Sequence, residues 1–302
     1  MRIFYTDSGA TIQSASFKNG FKHLQADLIN VGTVDVGEWQ SQSIDGKANP
    51  MVLMKELLNV SLQYSIPESK ETLAEETGAH LPWAEDHFQE RVSGQPLNPP
   101  PSNEWWPFAQ KSNADHKSEG EKFSHTYPER MWPKYAEADS VDTLTYDRES
   151  VRSYSASMNE GIRFYYGDLN DVVKLLHDRP MTRQAYLPIW FPEDTGVVHG
   201  RRVPCTLGYH FIIRDNEVHI AYYMRSCDLL RHFQDDVYMA GRLLQWVCHE
   251  LNNYPGLDGV VRPRKRPYTP GNLTMHIANL HVFNGDVPMM EYRASKDLAW
   301  NE

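Results

Sequence analysis

Cysteine is scarce in this chain, three in 302 residues, which excludes a disulfide-stapled scaffold. Cys205, Cys227 and Cys248 form no C-x-x-C pair, and the H-x-E with P-C-x-x-C pattern of a zinc deaminase is missing, so no metal site is expected. Neither a P-loop nor G-x-G-x-x-G occurs, which weighs against a kinase or a dehydrogenase. No apolar run is long enough to cross a membrane. Met1–Ala10 lacks the apolar core of a signal peptide, so a cytoplasmic protein is expected, in a bacterial or phage-infected cell. Positive charge is also in the minority. The 30 Lys and Arg against 40 Asp and Glu give a net charge of -10, so no stable nucleic-acid partner is expected, only local basic pockets.

What is present is ordinary globular content, 40% hydrophobic and 23% charged, read as a single domain over 1–302. Pro50 followed by an apolar-rich segment predicts a helix over 50–63. Asp171–Leu176 predicts another helix, Ala185–Phe191 a buried strand, and Met275–Phe283 a strand with Asn279, His281 and Phe283 on one face. Residues 64–123 are the least regular part, and Asn98–Asn103 (NPPPSN) is an extended connector. Trp105, Trp106 and Phe108 either cover a site or pin this loop, and pinning is favoured. Arg262, Arg264, Lys265 and Arg266 form a basic loop that reads as solvated.

The densest information lies between Arg201 and His249. Cys205 follows Pro204 and precedes an apolar run over Leu207–Ile213. Arg214–Glu217 is a polar break, and Val218–Met224 a second run, so the pair reads as a β-hairpin. Arg225-Ser226-Cys227-Asp228 comes next. From Asp236 a helical pattern runs through Val237, Ala240, Leu244, Val247 and Leu251. Cys227 and Cys248 read as structural.

Pro204-Cys205, the hairpin, Arg225-Ser226-x-Asp228 and the Asp236 helix together resemble the thymidylate synthase family. The resemblance implies an α+β fold, a mixed sheet with helices on one face, and a homodimer through the other face. It marks residues 84–123 as an insertion. It makes Cys205 the nucleophile that adds to C6 of a pyrimidine nucleotide, with Arg225, Arg201 and Arg202 as cations that favour the thiolate. Arg225 and Ser226 would hold the 5′-phosphate. Arg183 would reach the partner subunit's phosphate, with Gln184 where a second arginine is usual. The family's loop arginine has no counterpart in Val31–Asp45, so either Arg2 or another residue serves, or the contact is missing. His281 would contact the sugar, where Phe283 replaces a tyrosine. Asp228 and Trp83 would bind the folate. Glu56, in Lys55-Glu56-Leu57-Leu58, would be the carboxylate serving the base, unless it is a solvated helix-face residue. Tyr127 would assist removal of the C5 proton. The polar tail would close loosely over the folate.

Asp236 stands where thymidylate synthases carry an asparagine that reads uracil. A carboxylate suits the amino group of cytosine, and the change resembles the deoxycytidylate hydroxymethylase branch. The expected activity is therefore hydroxymethyl transfer from 5,10-methylenetetrahydrofolate to C5 of dCMP. The alternatives are C5 methylation of dCMP or CMP, a divergent synthase acting on dUMP, and a non-catalytic nucleotide- or RNA-binding homologue.

Overall fold

The computed structural model describes residues 1–4, 11–14, 16–35, 53–108, 117–119, 122–136, 163–195, 203–256 and 259–300. The expectations at Arg201 and Arg202, and most of Val31–Asp45, lie outside them. The chain is α+β. Its centre is a strand pair, β4 (Leu53–Ser65) and β11 (Thr269–Phe283), antiparallel from Asn272↔Ser65 to Phe283↔Met54. β1 (Arg2–Phe4), β2 (Thr11–Gln13) and β3 (Thr33–Asp35) extend the sheet beyond β4. On the other side β9 (Glu217–Met224) runs parallel to β11, followed by β8 (Thr206–Arg214) and the short edge strand β7 (Tyr186–Pro188). β10 (Cys227–Asp228) pairs parallel with the end of β11. A separate small hairpin joins β5 (Lys117–Glu119) and β6 (Lys122–Phe123).

The helix expected over 50–63 is β4. Met54, Leu57 and Leu58 mimic a helical stripe, but Val60, Leu62 and Tyr64 alternate with polar residues and are buried. Pairing with β11 decides the matter, because burying alternate residues on a long ladder outweighs a weak helical preference. The alternation changes phase at Leu58 and Asn59, and Asn59 takes the left-handed region at φ 53. In β11 the phase changes at the same level. Leu273, Met275 and Ile277 are buried before it, Leu280 and Val282 after it. Asn279, His281 and Glu56 thereby share the opposite face, with His281 directly across from Glu56. The hairpin forms as expected, its turn made by Asp215 at φ 51 and Asn216 at φ 64, the paired positive values of a type I′ turn. The strand expected over 185–191 shrinks to β7, since Pro188 has no N–H and the N–H groups of Ile189 and Trp190 both turn to Leu207 O.

Helices cover one face. α7 (Phe233–Asn252) lies against β9 and β11, and α1 (Phe17–Asn30) against β4. α5 (Leu169–Asp178) and α2 (Lys70–Thr77) pack on α7. So does α3 (Trp83–Arg91), which stands inside the segment expected to be least regular. Two arms of the same residue clamp it: Glu85 accepts from Nε and Nη2 of Arg242, both at 2.9 Å. α4 (Tyr127–Met131) starts with a capping box between Thr126 and Glu129. α6 (Pro192–Thr195) follows β7, and α8 (Val287–Ser295) follows β11. In the tail, Trp300 docks on α1, with ring centroids 6.5 Å from Phe17 and 6.1 Å from Phe21. The face that no described helix covers carries Ser61, His276 and Tyr223, with Tyr223 and His276 stacked at 5.1 Å.

Candidate active site

Cys205 is half-buried at the entry to β8 and belongs to no disulfide. Arg225, just past β9, folds back over it. Its Nε donates to Pro204 O at 2.8 Å, its Nη2 to Val203 O at 3.1 Å, and the same Nη2 lies 3.8 Å from Cys205 Sγ. The guanidinium thus fixes the turn that presents the thiol and places positive charge beside it, the arrangement that favours a thiolate. Beyond Cys205, Thr206 Oγ1 donates to Tyr127 Oη at 3.2 Å and lies 2.9 Å from Tyr222 Oη. Burial, and next the proximity of Cys205, push the Tyr127 phenol well above its ordinary range. Tyr127 is held there through its helix. Arg130, one turn on, makes a buried two-pronged pair with Asp194 at 2.8 Å for both bonds, and Asp194 also accepts from Phe191 N.

Asp235 and Asp236 divide their work. Asp235 is buried and accepts from His80 N at 2.8 Å, with His80 Nδ1 at 2.9 Å from its other oxygen. Asp236 is left facing Cys227, whose Sγ donates at 3.5 Å. The helix starts at Phe233, not at Asp236, which is in its first turn. Burial raises the Asp236 carboxyl to about 7, against the opposing pull of Arg91. The same forces leave Cys227 inert: burial, then Asp236, push its thiol far up. Cys248 is likewise raised by burial, to about 12.

Arg91 is the residue that motif reading missed. It is 4% exposed, its Cζ lies 4.1 Å from the Tyr127 ring centroid, and its Nε is buried with no partner among the described residues. No carboxylate of the described residues forms an ion pair with it. Its charge acts on Asp236, Tyr127 and Tyr222 together. Nothing in the spacing of Arg91 to Cys205 signals this, because α3 lies on the far side of a long connector.

His281 and Ser226 meet at 3.3 Å, between His281 Nδ1 and Ser226 Oγ. Burial lowers the imidazole to about 4, so it is neutral. Glu56 bonds to Asn279 beside His281, on a strand rather than the expected helix, and the described contacts do not bring it to Tyr127. Arg183 is exposed in the loop before β7, where its carbonyl meets His210 Nε2 at 3.0 Å, and no described contact joins it to Arg225.

A second cluster lies at the start of α7. Asp228 Oδ1 accepts from Leu230 N and Arg231 N, at 2.9 and 3.0 Å, while Oδ2 is buried without a hydrogen bond. Burial raises this carboxyl to about 7. His232 stacks on Trp106 at 5.0 Å, and Trp106 Nε1 is another buried donor with no partner among the described residues. Trp83 stands behind Trp106 at 6.2 Å, with its own N–H given to Ser102 O. The aromatic cluster therefore pins the connector onto α7, and Trp106 rather than Trp83 carries the open donor.

The family profile for thymidylate synthase matches residues 117–298. A protein of Methanosarcina mazei named "Putative thymidylate synthase" is 25% identical over 147 residues, 47% of this chain and 59% of the relative. Proteins of the same name from Methanosarcina acetivorans and Methanococcoides burtonii are 31% and 28% identical over the same lengths. The chain thus spans 59% of the length of these curated relatives.

Proposed function

The chain belongs to the thymidylate synthase family, and from that premise we propose that it is a folate-dependent transferase that places a hydroxymethyl group on C5 of dCMP. Asp236 carries the reading. It is a partly buried acid, desolvated enough to hold its proton to about 7, at the family's base-reading position, and Asp235 is already committed to His80. A carboxyl that shares one proton with its ligand satisfies cytosine at two points: one oxygen accepts from the C4 amino group, and the other shares the proton with N3. Cytosine N3 is far more basic than uracil O4, so the shared proton favours cytosine.

In this reading Cys205 Sγ adds to C6, and the ring electron pair moves to C5. Methylenetetrahydrofolate, when bound, would supply the one-carbon unit that bonds to C5, and would leave as tetrahydrofolate once the C5 proton is lost. The fit is supported by two buried atoms without a hydrogen bond among the described residues: Asp228 Oδ2, with Arg231 Nε 3.8 Å away, can accept from a pterin N–H, and Trp106 Nε1 can donate. Trp83 backs that wall. Since no described contact joins Glu56 to Tyr127 or Cys205, in this reading the role expected of Glu56 passes to Tyr127. Its hydroxyl, tied to Thr206 and Tyr222, orders the water that takes the C5 proton. Water adding to the exocyclic methylene group of the pyrimidine gives the hydroxymethyl product, with release of Cys205. Arg225 and Ser226, with Arg183 from a second copy, hold the phosphate, and His281 reads the sugar. The dimer forms through the sheet face that no described helix covers.

A methyl product on dUMP is the second reading, supported by the names of the Methanosarcina relatives. Incubation with dCMP and methylenetetrahydrofolate, followed by mass analysis of the nucleotide, tests the proposal. A hydroxymethyl gain lost in Cys205→Ser supports it. An unmodified dCMP with a methylated dUMP sinks it.

A further inference from the structure

Three side chains from β4 and β11 form a line on the face opposite Leu280 and Val282. Glu56 accepts from Asn279 Nδ2, and Asn279 Oδ1 lies 3.0 Å from His281 Nδ1. His281 is 5% exposed and its ring edge meets Phe283 at 5.4 Å, so it cannot swing away to find other partners. We propose that Glu56 is a positioning residue: through Asn279 it fixes the tautomer of His281, leaving Nε2 as the acceptor for a hydroxyl of the bound sugar. The identity of that hydroxyl rests on the nucleotide reading above, and the tautomer does not.

An Asn side chain can sit either way round, and the amide oxygen and nitrogen are told apart only by their partners. A carboxylate accepts and never donates. With Glu56 on one side, the Asn279 amide must turn its NH2 toward it. Its oxygen then faces His281. Two acceptors at 3.0 Å would repel, so the imidazole carries its proton on Nδ1. Ser226 Oγ, 3.3 Å from the same nitrogen, is compatible as a second acceptor. Burial lowers this imidazole, so the neutral ring is present at neutral pH and the tautomer is a real choice. With Nδ1 protonated, Nε2 holds a lone pair. A sugar 3′-hydroxyl, which can donate, matches it. The opposite tautomer would present N–H there and ask the hydroxyl to accept.

Nitrogen-15 NMR of the histidine side chains in the unliganded protein tests this directly, with His281→Gln assigning the signal. The wild type is expected to show Nδ1 protonated and Nε2 bare. Glu56→Leu is expected to release Asn279 and give a mixture or the Nε2–H form, while Glu56→Gln, which can still accept through its amide oxygen, largely restores the wild-type pattern. A wild-type ring protonated on Nε2 overturns the proposal, as does a folded Glu56→Leu protein that keeps the Nδ1–H pattern. If Glu56→Leu does not fold, Asn279→Ala serves: loss of the Nδ1–H pattern supports the relay and its retention overturns it. In turnover, dCMP is expected to beat its 3′-deoxy analogue in KM by about tenfold in the wild type. Glu56→Leu should narrow that gap through the KM for dCMP, with kcat little changed. A full gap in Glu56→Leu overturns the functional half. Failure of either nucleotide to bind removes the dCMP reading and leaves the tautomer result standing.

Discussion

At the scale of single residues, the site is a set of buried groups held away from their ordinary ionisation. Asp236 is the clearest. Unfolded, an aspartate loses its proton near 3.8, and folded, burial holds the Asp236 proton to about 7. The folded chain therefore binds the extra proton between those values. Stability from this source is complete below about pH 4 and is lost as pH rises toward 7. Asp236→Asn cannot ionise, so its melting temperature should exceed that of the wild type at about pH 8 and match it near pH 4. Equal melting temperatures at the higher pH would mean that the Asp236 carboxyl is not held protonated by desolvation. The same titration governs binding. Pairing with cytosine uses one shared proton, so dCMP affinity should be full below about pH 7 and fall by about tenfold per unit above it. Arg91 opposes the burial of Asp236. Arg91→Met should move that alkaline limb upward by at least about one pH unit, and Arg91→Lys should leave it in place. An unmoved limb in Arg91→Met would show that the guanidinium does not act on the acid.

Much of this was legible in the chain. Cys205, Arg225, Ser226, Asp228, Asp236 and His281 were all marked by motif and spacing, and the fold brings Arg225 to Cys205 and Ser226 to His281. Arg91 was not legible, and Trp106 was marked only as one of an aromatic cluster, without its open donor. Each owes its place to packing between segments distant in sequence, and neither carries a local pattern. Glu56 was marked by a motif read as helical and lies on β4 instead, because four residues of similarity say nothing of backbone conformation.

At the scale of elements, the site depends on ties that hold short pieces in register. α4 has only five residues and could not stand alone. The Arg130–Asp194 pair anchors it to α6, and Arg130 lies over Phe191 at 4.5 Å. Arg130→Met leaves Asp194 buried without its cation and should cost about 3–5 kcal/mol, read by denaturant unfolding. A loss under about 1 kcal/mol would mean the pair contributes little beyond packing. The long elements were the easier ones to foresee: the hairpin of β8 and β9 and the helix α7 follow from strict periodicity. β4 was misread because its first half has helical spacing and its second half alternates, and only β11 resolves the conflict. α2 and α3 were missed because they carry few apolar residues, bury one side only, and owe their stability to α7 through contacts such as Glu85 with Arg242.

At the scale of the whole molecule, the sheet has one face under helices and one face that no described helix covers, and Arg183 stands exposed at its edge. If two copies join through that face and each Arg183 serves the other copy's site, Arg183→Ala and Cys205→Ser should complement one another. Each variant alone is expected to be nearly inactive, and refolding them together should recover about a quarter of the wild-type activity, since half the dimers are mixed and each holds one intact site. No recovery would place Arg183 outside the partner's site.

The central claim is that Asp236 makes this a cytidylate enzyme working through Cys205. Its most direct test is tritium release from C5-labelled dCMP and dUMP, each with methylenetetrahydrofolate. Release from dCMP, with little from dUMP, is the predicted result. Release from dUMP alone would contradict it and reduce Asp236 to an acid of the first turn of α7.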